Sequence, residues 1–211
     1  MNDHYIIVKA NETDLTETDV RKQMGEIFAE GFTQWLGYFS KDKYVIAMAF
    51  NHMFVLDQFY VAIANGEIAG IAACTDGKSP SVRLDKKELR KHLGFLKGSL
   101  ASIFLKKDFE ATYDDFPPNT GSIEFVGTAP KFRGQGVASQ IIQHIIENTP
   151  YDRYVIEEVA DTNIPAMRLY KKLGFEEYKR KPMPKKIAKK NGINSLVSLK
   201  YVKKQECILD S

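Results

Sequence analysis

Apolar residues recur along the chain with two different periods. Tyr5 to Ala10 is a short run of β type. From Val20 to Phe39, Met24, Ile27, Phe28, Phe32, Trp35 and Leu36 recur at helical spacing. Gly31 and Gly37 weaken that helix and mark places for a break. Asp42 to Leu56 predicts a second apolar helix, crowded with Tyr44, Phe50, Met53 and Phe54. Gln58 to Ala64 and Glu67 to Thr75 predict two strands joined by Asn65-Gly66, a two-residue turn that suits a hairpin. Within Asp76 to Thr120, the stretch Asp85 to Phe104 carries a helical stripe of Leu89, Leu93, Leu96, Leu100, Ile103 and Phe104. Ser122 to Thr128, Arg153 to Ala160, Phe175 to Arg180 and Ser195 to Val202 predict strands. Gly136 to Asn148 and Ile164 to Leu173 predict helices. With no internal repeat and no long linker, the pattern predicts one mixed α/β domain over residues 1–211.

Composition narrows the classes. The 211 residues are 44% hydrophobic and 27% charged, which is enough for a core that needs no staples. Thirty basic and 27 acidic residues leave a net charge of +3, too mild to demand nucleic acid or a membrane. Cys74 and Cys207 are the two cysteines, and neither belongs to a cluster with zinc spacing, so no metal site is expected. No run of about 18 apolar residues is present, and Met1 to Lys9 lacks a signal-peptide pattern. The expectation is a cytoplasmic protein with no membrane partner. Lys171 to Lys204 holds twelve Lys and Arg against Glu176 and Glu177. Interleaved aromatics for base stacking are missing there, so a solvated basic surface is expected rather than a nucleic-acid site.

Candidate chemistry starts at Thr128 to Ser139, where a strand leads into Arg133-Gly134-Gln135-Gly136 and a striped helix leads out. Glycines at a helix start let backbone N–H groups face an anion, and the helix dipole and Arg133 add positive charge. This is the chemistry of a pyrophosphate cradle. A nucleoside-triphosphate loop requires Lys-Ser or Lys-Thr after the second glycine, and Val137-Ala138 stand there. A dinucleotide fingerprint requires Gly or Ala where Ser139 stands, although Glu157 and Glu158 lie at the right distance downstream. A glycine turn that merely starts a helix is the bland alternative.

Thirty residues after Arg133 the text runs Asn163-Ile-Pro-Ala166-Met-Arg-Leu169-Tyr170-Lys-Lys172-Leu-Gly174-Phe175. Together with Arg133, Gly136 and Ala138, this resembles the two motifs of the GNAT superfamily of N-acetyltransferases. The resemblance is specific from Ile123 to Phe175 and looser from Tyr5 to Thr75. It implies a twisted mixed sheet flanked by helices; the resemblance is absent from Asp76 to Thr120, so a helical insertion, about 76–120, is expected between the third and fourth strands, where the family usually joins them more directly. It further implies acetyl-CoA as co-substrate, lying where the fourth and fifth strands splay apart.

On that resemblance, Val126 and Thr128 offer backbone groups to the pantetheine. Arg133, Gly134, Gln135, Gly136, Val137, Ala138 and Ser139 form the pyrophosphate loop. Asn163 caps the following helix and reaches the ligand, and Tyr170 gives a proton to the leaving thiolate. The base is expected to be Glu124, on the same side of its strand as Val126 and Thr128, with Ile123 and Phe125 opposite. Glu157 and Glu158 are the alternatives. The acceptor is a small-molecule or peptide amine, and Trp35, Tyr38, Phe39, Tyr44, Phe50 and Phe54 are the candidates to line its pocket, core packing being the competing role. A homodimer is left open. The competing functions are a non-catalytic acyl-CoA-binding or sensing module, and a protein-interaction module built on residues 76–120. His52, His92 and His144 are isolated, and Cys74 reads as a buried small hydrophobe.

Overall fold

The computed structural model describes residues 5–113, 115–185, 188–189 and 192–204. Its strands are β1 (Ile6–Lys9), β2 (Phe59–Ala64), β3 (Glu67–Thr75), β4 (Thr120–Thr128), β5 (Arg153–Ala160), β6 (Glu176–Pro182) and β7 (Ser195–Val202). They form one sheet in the order β1-β2-β3-β4-β5-β7-β6. Neighbours are antiparallel except β4 and β5, which run parallel. The hairpin turn between β2 and β3 has positive φ at both Asn65 and Gly66 (52° and 75°), the geometry that the Asn-Gly pair favours.

Among the described residues six helices cover the sheet: α1 (Glu17–Leu36), α2 (Lys43–Phe50), α3 (Lys86–Leu93), α4 (Phe95–Phe109), α5 (Val137–Asn148) and α6 (Ile164–Lys172). Alternation along the strands divides the core in two. Phe59, Val61, Ile71 and Ala73 face α1 to α4, where they meet Met24, Phe28, Ile46, Phe50 and Leu89. Tyr60, Ala62, Ala72, Cys74, Ile123, Tyr154, Ile156, Val197 and Leu199 face the other way, onto Ile141, Ile142 and Ile145 of α5 and Tyr170 of α6. No helix of the described residues is long and apolar enough to cross a membrane.

Three local expectations change. α1 runs unbroken through Gly31 and ends at Leu36. α2 stops at Phe50, well short of Leu56. The stripe from Asp85 to Phe104 is two helices, divided at Gly94, where φ is 79° and ψ 166°. Leu89 and Leu93 are buried, whereas Leu96, Ile103 and Phe104 are exposed. Helical spacing placed these residues on one stripe, but the break turns α4 so that Leu96, Ile103 and Phe104 face outward while Leu100 still packs on the core.

Candidate active site

β4 and β5 stay in register for only three rungs, Thr120 with Arg153, Gly121 with Tyr154 and Ser122 with Val155. Beyond these the strands part. Each also carries a bulge at a non-glycine residue with positive φ, Phe125 at 50° and Glu158 at 54°. A bulge adds a residue and sharpens the local twist, which turns the two strands out of each other's reach.

The opening leads into a cleft of about 560 Å³. Val126, Gly127 and Thr128 form one wall, Asn163, Ala166, Leu169 and Tyr170 of α6 another, and Ile27 and Gly31 of α1 close one side. Arg133, Gly134, Gly136, Val137, Ala138 and Ser139 line its end. Gly136 caps α5 in the left-handed conformation (φ 81°, ψ 6°), with no side-chain cap. The amides of Val137, Ala138 and Ser139 lie in the first turn, where an α-helix offers no internal acceptor. A Cβ on Gly136 would meet nothing nearer than Gln140 Nε2 at 4.0 Å, so the space before these amides is open. Donors, dipole and room together suit a pyrophosphate.

Ten of the eleven residues expected at the cofactor line this cleft. Gln135 does not. Its Oε1 accepts from the Tyr5 hydroxyl (3.0 Å), its Nε2 donates to the Lys131 carbonyl (2.9 Å), and its backbone N–H is turned to the Phe132 carbonyl. Arg133 donates to Glu30 Oε2 at 3.3 Å. Glu30 also accepts from Lys43 Nζ at 2.8 Å, and this bond, ahead of the Arg133 charge, holds its carboxyl below the usual range. Asn163 Oδ1 accepts from the Ala166 amide (3.3 Å), so capping and a place in the cleft coexist. The Tyr170 ring is buried, and its hydroxyl has no hydrogen-bond partner among the described residues. Burial alone pushes its phenol pKa far up, so it keeps its proton.

Comparison with known proteins agrees with this geometry. The sequence profile of the acetyltransferase (GNAT) family matches residues 22–175, more than half of the chain. The chain belongs to that family. Solved structures sharing its fold include an N-acetyltransferase from Staphylococcus aureus Mu50, with TM-score 0.59 and 15% identity, covering 93% of this chain and 100% of that one. A protein described as histone acetyltransferase HPA2 and related acetyltransferase, from Corynebacterium glutamicum, has TM-score 0.57 and 19% identity over 97% and 99%. A ribosomal-protein-alanine N-acetyltransferase from Brucella melitensis has TM-score 0.51 and 14% identity over 93% and 99%. No curated protein matches the chain significantly in sequence.

In this GNAT protein the strand parity expected around Glu124 is overturned. The bulge at Phe125 shifts it: Glu124 lies opposite Ala73 and Phe125 packs in the same core, while Val126 packs in the other. Glu124 thus stands on the α1–α4 face, not with Val126 and Thr128. Its Oε2 accepts from Ser81 Oγ (2.5 Å) and its Oε1 from Thr75 Oγ1 (3.3 Å). No cation pairs with it among the described residues. Burial raises its pKa against the lowering pull of the Ser81, Ser122 and Thr75 hydroxyls. The buried Ser122 Oγ is near enough for that pull but makes no hydrogen bond of good geometry.

The same face holds a second cavity, of about 370 Å³, that sequence reasoning missed. Val155 and Glu157 of β5, Lys200 of β7 and Tyr178 of β6 line it, and Tyr113 and Phe116 wall it. The Tyr178 hydroxyl donates to Glu157 Oε1, and Ser198 Oγ donates to Oε2 at 2.7 Å. Glu158 is instead exposed and paired with Lys181 at 3.3 Å. The aromatics expected around the acceptor divide otherwise: Phe39, Phe50 and Phe54 are buried core, and Trp35, Tyr38 and Tyr44 are exposed. None lines this cavity. Glu157 was visible as a candidate, but Tyr113, Phe116 and Tyr178 carry no motif. Cys74 is a buried thiol, its pKa pushed up to about 12 by burial. Cys207 lies outside the described residues. Among the described residues no group of acidic, His or Cys side chains is arranged to hold a metal ion.

Proposed function

We propose that this GNAT protein is an acetyl-CoA-dependent N-acetyltransferase acting on a primary amine by direct attack in a ternary complex. The observation that carries this is the cleft at the β4–β5 opening, where the free amides of α5 and the Tyr170 hydroxyl line one space. The pyrophosphate rests on Arg133, Gly134 and residues 136–139, the pantetheine runs along Val126 to Thr128, and the thioester sulfur lies by Tyr170. The amine nitrogen attacks the thioester carbonyl carbon, the C–S bond breaks, and the thiolate takes the Tyr170 proton. Before attack Glu124 takes a proton from the ammonium through water, which frees the nitrogen lone pair, and the proton that the nitrogen sheds on becoming an amide restores the Tyr170 phenol. The raised pKa of Glu124 makes it a stronger base than a solvated carboxylate, which supports that role.

Direct attack is favoured because Cys74, the one described cysteine, is buried with a raised pKa, unlike an activated nucleophile. A panel of primary amines mixed with acetyl-CoA, read by release of free thiol, tests the proposal. Thiol release that depends on one class of amine, with the acetylated amine recovered, is expected. Release at the same rate with and without amines contradicts it.

A further inference from the structure

The second cavity carries charge in an order fixed by strand register. Val155 is the last residue of β5 paired with β4, and Glu157 lies just beyond it, at the mouth of the opening. Lys200 stands opposite Val155, and Arg153 lies at the far end, opposite Val202. At about 3.3 Å per residue, these cations fall roughly 7 and 13 Å along the strands from Glu157. Lys179 and Asp115 complete the charged lining.

Arg153, Lys179 and Lys200 make no ion pair among the described residues. Glu157 is held by two neutral hydroxyls, which fix its position and leave its charge in place. The wall is firm as well. Tyr113 and Phe116 stack with centroids 4.7 Å apart and planes 13° apart, and the Tyr113 amide donates to the Gly77 carbonyl at 2.7 Å. The volume lies within the range of small-molecule sites, and a flat aromatic wall with a few placed charges is their usual chemistry.

We propose that this cavity takes the acceptor, and that the acceptor is a small primary amine carrying a carboxylate or phosphate. Its ammonium lies at Glu157, beside the opening, and its anionic group reaches toward Lys200 and Arg153. The proposal rests on the N-acetyltransfer reading above. Charge decides between ligand classes. A polyamine meets three cations against two acids, a purely anionic ligand meets Glu157 at the reactive end, and an amine with an anionic tail satisfies both ends.

Calorimetry with ω-amino acids of increasing chain length, lysine and an aminoalkyl phosphate tests this, each against the alkylamine of matched length. At least one anionic amine should bind roughly tenfold tighter than its neutral match, as one added charge pair implies. The carboxylate and phosphate arms tell the two anions apart. The preference should vanish in an Arg153→Met/Lys200→Met double variant, and Glu157→Gln should weaken the amines. Acetyl-CoA affinity, read in the other cleft, shows that each variant is folded. Equal binding of matched pairs, no binding by any member, or a preference that survives the double variant overturns the proposal. Equal or absent binding together with thiol release from some other amine overturns it alone. Preferential binding without thiol release from acetyl-CoA overturns the transfer reading, and the acceptor role with it.

Discussion

Tyr170 and Glu124 are the residues proposed to carry the two proton transfers, and their surroundings set opposite tests. Tyr170→Phe keeps the ring in place and removes only the hydroxyl. Single-turnover rates should fall on the order of 10²–10⁴-fold while acetyl-CoA affinity stays nearly constant. Unchanged rates, with chemistry limiting, would make Tyr170 a packing residue. Glu124→Gln should cost most activity at pH values between the raised carboxyl pKa and the pKa of the amine. Activity should partly recover at higher pH, where the amine is already neutral. Stability should move the other way. Burial raises the folded-state pKa of Glu124, so ionising it favours unfolding as pH rises through that value. Wild type and Glu124→Gln should therefore melt alike below about pH 4, near the unfolded carboxyl pKa, with the variant melting higher at neutral pH. Asn163 and Tyr170 could be found in the sequence because both belong to one spaced motif on one helix. Glu157, Tyr178 and Tyr113 could not be brought together, since they come from β5, β6 and the loop after α4. Only tertiary packing makes them neighbours.

At the scale of the element, the β4 bulge decides which groups reach which face. Phe125 holds φ at 50° while its ring packs among Phe28, Phe32, Phe59 and Phe109, with centroids 5.8 to 6.3 Å away. Losing the ring should cost about 2–4 kcal/mol. Because a left-handed position penalises any Cβ, Phe125→Gly should be about 1 kcal/mol more stable than Phe125→Ala, the reverse of the order expected inside a regular strand. Chemical denaturation of both variants measures this, and the ordinary order would deny the strained bulge. The bulge also explains a failure of sequence reasoning. Alternation with a period of two assigns Glu124, Val126 and Thr128 to one face, and a single extra residue breaks that count. Strand positions themselves were legible because apolar runs bounded by turn residues marked them: β3, β5 and β7 fall at Glu67–Thr75, Arg153–Ala160 and Ser195–Val202 as predicted. The α3–α4 break was not legible, since Gly94 sits inside an unbroken helical stripe and only packing reveals the turn.

Across the whole molecule, one sheet presents two cavities, the cleft lined by α5 and α6 and the pocket on the α1–α4 face. Acetyl-CoA and acceptor are proposed to enter these separately and to meet at the β4–β5 opening. Initial rates with both substrates varied should therefore give intersecting double-reciprocal lines, whereas parallel lines would indicate a covalent acetyl-enzyme. All of this depends on acetyl-CoA lying with its pyrophosphate at the start of α5. Calorimetric titration of acetyl-CoA into wild type and Gly136→Asp tests that most directly. An aspartate at this position sets a like charge before the phosphates and a Cβ on a left-handed residue. The account predicts clear binding by wild type and its loss in a variant that still unfolds cooperatively. Wild-type affinity in a folded Gly136→Asp protein, or no binding by wild type, would contradict it.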